Sequence, residues 1–488
     1  MMNLLQRFIN SWWKVTSLIF IAIVLTVLSY FAITFGPIIS HIKTYVTSIQ
    51  NDSHPEKIEK SSKVISNDLD RAFQSLDKPI LKQLLRVSGL DFSIIAPELK
   101  GLILASPEIT GATKAKKFMI AFQNSAEARG TGGILGAFAI VAVENGHLRV
   151  ERTGSNVALK SLNEIPIPMP TEYTNLYRSD PAIWQNSNLS PHYPYGAKIW
   201  MALWEKQYNE KIDGVLAIDP TALSYILKAT GSVQLENREK IDSDNVVFNT
   251  LSGAYKRFEK NNLARKKYLV DIMNATFSKI TAGDFSKISM AKALRKGTLE
   301  NRILFYANDK LTQESLFETR LSGNLTAKAN NQFRVLIQNI DASKLDYYLD
   351  RKIYLKSLSC ADPRTTQISV VVTNSLKTGV GLPAYVLTRA DKTRPIGMIT
   401  GQHRFLVFIY GPKGSNLINA KRSSTFGSAG GVGTELGRPI LVSDVDLAPL
   451  MSEKITATFT SGFEKLTYFD QPLVRKSSIT ITDTCKGS

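Results

Sequence analysis

The period of the apolar positions changes several times along this 488-residue chain, and the changes divide it. Residues 15–35 read VTSLIFIAIVLTVLSYFAITF, an unbroken apolar run with no side chain ordinarily charged at neutral pH. About 20 such residues, rising 1.5 Å each, cross a hydrocarbon core of about 30 Å. Trp12 and Trp13 stand where an interfacial aromatic belt belongs, and Arg7 and Lys14 precede the run with no acid before it. Positive-inside reasoning predicts a cytoplasmic tail over 1–14 and a transmembrane signal anchor over 15–36. It puts everything after the anchor outside the cell. The run exceeds an ordinary signal-peptide core and no A-x-A site follows it, which points to an uncleaved anchor.

From Ser53 to Leu85 the period becomes helical. Ser53-His-Pro-Glu56 fits a capping box, and Ile65, Leu69, Ala72 and Leu76 form a stripe at spacings of four, three and four. Pro79 kinks or splits it. Clean heptads are absent, so residues 37–104 read as a helical stalk or packing segment rather than a coiled coil. From Lys116 short strand-like runs take over. Lys117–Phe122 and Ile134–Val143 are the first, the second closed by the turn signal Glu144-Asn-Gly146. His147–Arg152 and Gly214–Ile218 follow, and Asp219-Pro220 opens a helix. Residues 242–300 are polar, basic and helical in pattern. This mixture predicts an α/β or α+β domain over 105–330.

Beyond about 330 the texture is β. Phe333–Ile340, Lys352–Leu358, Gln367–Thr373, Arg404–Tyr410, Lys454–Thr460 and Ser478–Thr482 alternate or are rich in β-branched residues. Short strands without helix signals predict an all-β, sandwich-like domain over 331–488.

Composition narrows the function. Hydrophobic residues make up 43% and charged residues 21%, which excludes a wholly disordered chain. Sixty Lys and Arg against 42 Asp and Glu give a net charge of +18, which favours an anionic partner. With the bulk outside the cell, that partner is not nucleic acid. Two cysteines exclude a zinc ribbon, an iron–sulfur cluster and a disulfide-knit scaffold. Cys360 and Cys485 are the only two, lie where oxidation is permitted, and each follows a predicted strand. They are expected to pair if those strands are neighbours.

No H-E-x-x-H, Walker A or G-x-S-x-G motif occurs. Gly411-Pro-Lys-Gly-Ser415 lacks P-loop spacing and reads as a hairpin turn. Gly427–Gly433 reads as a mobile glycine-rich loop. The segment with chemistry is Gln123-Asn-Ser-Ala-Glu-Ala-Arg129-Gly-Thr-Gly-Gly133. Four polar side chains, Gln123, Asn124, Glu127 and Arg129, crowd against Gly130, Gly132 and Gly133. Such glycines let a ligand approach backbone N–H groups, and Arg129 supplies a planar fork for phosphate or carboxylate. The alternative is that Glu127 and Arg129 form an internal ion pair that pins a loop. Between Lys256 and Arg302 twelve Lys or Arg face four acids, a surface for lipid headgroups, pyrophosphate or an anionic polymer, or simply a solvated helix.

Gln123–Gly133, Asp213–Pro220, Ala222-Leu223, Ala229–Val233, Asn245-Val-Val with Tyr255, and Ser343–Leu349 together resemble the bacterial family catalogued as domain of unknown function 4012. The resemblance runs from about Ala96 to the C-terminus. It implies a single-span envelope protein of Gram-positive, chiefly actinobacterial, cells, with no assigned activity. A weaker likeness, in element order, is to the LytR–CpsA–Psr phosphotransferases. That likeness implies attachment of lipid-linked glycopolymer to peptidoglycan, with arginines on the pyrophosphate and a divalent metal such as Mg held by an Asp. By position Arg129 and Arg152 would be the clamps. Thr131-Gly-Gly133 stands where such enzymes carry Arg-Ser-Asp-Thr, leaving Glu127 as the substitute metal ligand. Two functions follow as expectations: a phosphoglycosyl-type transferase, or a non-catalytic glycan-binding or scaffolding protein.

Overall fold

The computed structural model describes residues 38, 40–45, 47–49, 54–76, 92–327, 332–377, 381–388, 399–423, 430–461 and 466–485. The expected anchor at 15–36, Ser53, Pro79 and residues 424–429 of the glycine-rich segment lie outside them. Among the described residues no helix is long and apolar enough to cross a membrane. The chain forms two compact units, one of residues 1–115 with 144–146, the other of 116–143 with 147–488.

In the first unit the helices Pro55–Leu76 and Phe92–Ile109 pack together. The predicted stripe is the buried one: Ile65, Leu69 and Ala72, with Ile58 two turns earlier, meet Tyr45, Ile49 and Ala112 in a small core.

The second unit starts from a five-stranded sheet of order β3-β2-β1-β4-β7. Its strands are β1 (Lys116–Arg129), β2 (Gly132–Glu144), β3 (His147–Ser155), β4 (Gly214–Ile218) and β7 (Ile303–Ala307); β5 (Val233–Gln234) and β6 (Lys240–Ile241) form a separate hairpin. Asn145 and Gly146, both at positive φ, make the predicted β2–β3 turn. β1 is buried almost throughout because both faces are covered. Met119 and Ala121 join Trp184, Trp200 and Trp204 in a core under the helix Tyr193–Tyr208. On the opposite face Phe122 meets Phe277 of the helix Asn262–Ala282 edge-on at 6.0 Å. Asp219 caps the helix Pro220–Thr230, its carboxylate accepting from Ala222 N at 2.8 Å.

Two further five-stranded sheets face each other across one core. The first is β13-β14-β11-β8-β16: β8 (Phe333–Asn339), β11 (His403–Tyr410), β13 (Gly431–Glu435), β14 (Arg438–Leu447) and β16 (Tyr468–Asp470). The second is β12-β15-β10-β9-β17: β9 (Leu349–Ser359), β10 (Arg364–Asn374), β12 (Asn416–Arg422), β15 (Ser452–Ser461) and β17 (Ser478–Thr482). Their sequences differ for a physical reason. β8 is buried throughout, and Phe405–Tyr410 of β11 is a continuous apolar run, because the first sheet is covered twice. Val335, Ile337, Phe405, Val407 and Ile409 point into the inter-sheet core, while Leu336, Phe408 and Tyr410 join the core with Trp200 and Trp204. β9 alternates buried and exposed because the second sheet has one solvent face. The boundary expected near 330 therefore falls inside one compact unit. β17 runs parallel to β9, and a disulfide joins Cys360 to Cys485 with Cα atoms 5.5 Å apart.

Two local expectations need correction. The polar loop expected at Gln123–Gly133 is largely strand: β1 continues to Arg129 and β2 resumes at Gly132. The pairing survives because two register shifts, at Phe122/Gln123 and Asn124/Ala128, absorb the irregularity and the polar side chains bond inward. The glycine-rich segment expected to be a mobile loop contains β13 from Gly431, paired to β14.

Candidate functional site

The end of β1 holds its polar side chains inside. Gln123 Oε1 accepts from Gly133 N at 3.1 Å, and from Thr131 and Asn188 at 3.2 Å each. Asn124 Oδ1 accepts from Ala126 N at 3.1 Å, and its amide donates to the Tyr255 hydroxyl at 2.7 Å. The glycines serve close packing of backbone on backbone rather than a ligand cradle. A Cβ on Gly130 would lie 2.1 Å from Leu189 O, and one on Gly133 2.1 Å from Asn124 O. Gly132, at φ +137°, makes the turn beside Gln123.

Arg129 is buried, and each of its N–H groups meets a protein acceptor. Nε and Nη2 donate to Asn186 Oδ1 at 3.0 and 2.8 Å, and Nη1 to Ala128 O at 2.8 Å and Asn339 O at 3.1 Å. Nη2 also reaches Glu127 Oε1 at 3.2 Å. The internal ion pair is thus the arrangement present. The other oxygen of Glu127 accepts from the Lys344 ammonium. Burial alone would raise the Glu127 carboxyl, but the Lys344 and Arg129 cations outweigh it and hold it below its ordinary value.

Arg152 lies elsewhere. It is exposed on β3, its guanidinium 5.4 Å from the Trp204 ring and 4.7 Å from that of Tyr208. Its electrostatic neighbour Glu210 bonds Lys117, at the start of β1, whereas Arg129 ends that strand. The structure therefore gathers Asn124, Glu127 and Arg129 but does not bring Arg152 to them.

What gathers beside Glu127 instead is a set of cations that the motif reading missed. Arg265, on the helix Asn262–Ala282, is buried between Tyr255 and Tyr385, 4.3 and 4.2 Å from their ring centroids. Its Nη2 donates to Asn262, but its buried Nε has no hydrogen-bond partner. Lys266 donates to Asn156 Oδ1 at 2.6 Å. Burial, then the neighbouring Arg265 and Lys344 cations, pull its ammonium down to about 7. Lys344, itself buried, lies 5.2 Å from the Tyr385 ring. Three cations thus meet near one carboxylate that Arg129 already shares. Asp346, next to Glu127, accepts from Ala128 N at 2.9 Å and Asn339 at 2.7 Å, and lies 3.3 Å from His403. The signals for this cluster were in the sequence: the basic 256–302 stretch and the Ser343–Leu349 motif contain it. Only folding joins them.

The same carboxylates bear on a metal. Both oxygens of Glu127 are bonded to cations, Asp346 Oδ2 accepts two hydrogen bonds while its Oδ1 lies 3.3 Å from His403, and Asp219 pairs with Arg302 at 2.5 Å. Among the described residues no group of three His, Cys, Asp or Glu is arranged to hold a metal ion. These residues do not fit a divalent cation.

Residues 114–255 match the family described as protein of unknown function (DUF4012), as the motifs led us to expect. No curated protein matches the chain. Solved structures similar to it include protein gbs0355 from Streptococcus agalactiae, at 15% identity over 44% of this chain and 76% of that one, with a TM-score of 0.29. Bacillus subtilis TagV is 14% identical over 41% and 77%, with a TM-score of 0.24. The transcriptional regulator yvhJ from Bacillus subtilis is 11% identical over 44% and 78%, also at 0.24.

Proposed function

We propose that this chain is a single-span envelope protein whose extracytoplasmic part binds the phosphate group of a lipid-linked or polymeric glycan. The observation that carries the reading is the cluster of the buried Arg265 and Lys344 with the half-buried Lys266 around Glu127, where cations outnumber nearby acids. Desolvated cations without counter-charge are costly, and a bound phosphate offsets that cost. The planar Arg265 fork suits phosphate oxygens, and Tyr255 and Tyr385 hold it in place. The apolar 15–35 run after Arg7 and Lys14 supports the orientation, N-terminus inside and bulk outside. The Cys360–Cys485 disulfide is in keeping with an oxidising compartment.

Binding, rather than metal-assisted transfer, is the favoured activity, because both oxygens of Glu127 are committed to the Lys344 and Arg129 cations. The test is calorimetry of the full chain in detergent with pyrophosphate and geranylgeranyl diphosphate. Binding that falls at least tenfold in Lys266→Met and Arg265→Gln, with unfolding temperature kept, is expected. No binding by the native chain, or equal binding by both variants, would refute it. A reporter fused after Ser488 should be active outside the cell; activity inside would overturn the orientation.

A further inference from the structure

The register of the second β sheet defines a surface separate from the cluster. On β9 the residues pointing away from the core are Asp350, Lys352, Tyr354, Lys356 and Leu358, the last four exposed. Across β10, Lys352 and Lys454 both pair with Val371. One row on, Tyr354 and Thr456 both pair with Ser369, and Lys421 of β12 pairs with Thr456. Four lysines, 352, 356, 421 and 454, thus share one sheet face. At about 4.8 Å per strand, Lys352 and Lys454 stand roughly 10 Å apart; four residues along β9 put Lys352 and Lys356 roughly 13 Å apart. These spacings are comparable with the Debye length of about 8–10 Å, so their fields overlap.

Among the described residues none of the four lysines forms an ion pair, and no carboxylate occupies the rows between them; Asp350, two residues before Lys352, feels that lysine's charge. The first acid beyond, Asp350, is bonded to Arg475 at 2.9 Å and to Ser375. The ground between is partly hydroxylated: Val371 lies between Lys352 and Lys454, and one row on Ser369 and Thr456 bond each other across the strands at 2.8 Å. A membrane-docking face needs a cluster of protruding apolar side chains, and here Leu358 stands at one end of β9 while Ser369, at the centre, is buried.

We propose that this face docks the chain of an acidic polysaccharide-type polymer, one whose phosphate or carboxylate groups recur along a hydroxylated backbone. Charge complementarity selects the polyanion, and the flat hydroxyl and tyrosine ground lets an extended chain lie across the strands. This goes beyond the phosphate reading and uses none of its residues.

The experiment places the full chain in neutral nanodiscs and measures binding to immobilised polygalacturonate, to poly(glycerol phosphate), to neutral dextran and to phosphatidylglycerol vesicles at several salt concentrations. The comparison is a variant with Lys352→Gln, Lys356→Gln, Lys421→Gln and Lys454→Gln, all exposed positions, checked by an unchanged unfolding temperature. The native chain is expected to bind one or both polyanions and not dextran. The variant is expected to lose at least tenfold in affinity and most of the salt dependence, with pyrophosphate affinity unchanged. If pyrophosphate binding is absent in both proteins while the polymer result holds, the cluster reading fails and this one stands. Polymer binding unchanged in the variant, or dextran bound as tightly, overturns the proposal. So does a loss confined to phosphatidylglycerol vesicles, which would assign the face to a lipid surface.

Discussion

The Lys344 ammonium donates to the carboxylate of Glu127 across 217 residues of sequence, and both side chains are buried. The bond ties the end of β1 to the segment that leads into β9. It also makes Glu127 the counter-ion for two cations rather than a free ligand group.

Removing that carboxylate should therefore unfold more than it disables. Glu127→Gln leaves Lys344 and Arg129 buried with a lost counter-charge, and a cost of about 3–5 kcal/mol is expected from denaturant unfolding. Adding Lys344→Met should recover much of it, since the uncompensated charge goes too. A double variant no more stable than the single one would show that the pair is not coupled.

Arg129→Lys should behave as a structural lesion. Lysine cannot reach Asn186, Ala128 O and Asn339 O together, and each buried acceptor left bare costs about 1–3 kcal/mol. Pyrophosphate affinity per folded molecule should stay within about twofold. Lost affinity at native stability would return Arg129 to the clamp role that the sequence likeness implied.

Lys266 should link binding to protons. With its ammonium pulled down to about 7, it is largely neutral at pH 8, and a bound phosphate favours its charged form. Pyrophosphate binding at pH 8 should take up protons, seen as a binding heat that depends on the buffer. Lys266→Met should abolish that dependence. Heats independent of buffer in the native chain would remove Lys266 from the site.

Glu435 predicts a pH dependence of stability. It is fully buried among Ser190, Tyr177 and Tyr410, and burial pushes its carboxyl up to about 7 despite their hydrogen bonds. Between its ordinary value of 4.5 and about 7 the folded state holds more protons than the unfolded one. Its contribution is therefore full below 4.5 and declines as pH rises to about 7. Glu435→Gln should flatten that part of the profile, read as unfolding temperature against pH. An identical slope in the variant would assign the change to other groups.

Local interactions account for what the chain alone determined. The helical stripe Ile65, Leu69 and Ala72, the Asn145-Gly146 turn, the Asp219 cap and the alternation along β9 depend on neighbours a few residues away, so periodicity and turn chemistry reveal them. Two cysteines left a single internal pairing. The family motifs at 123–133 and 213–233 were legible in the same way. Tertiary structure decided the rest. Whether Arg129 faces a ligand or a neighbour depends on Asn186 and Asn339, which no local pattern connects to it. Glycines permit both a ligand and a second backbone, and only the positions of Leu189 and Asn124 choose. Arg265, Lys266 and Lys344 became one cluster because the helix Asn262–Ala282 and the approach to β9 converge on the end of β1. Charge is additive along a sequence, but the cost of burying it depends on which charges share a low-dielectric space, and that is fixed only when the chain closes on itself.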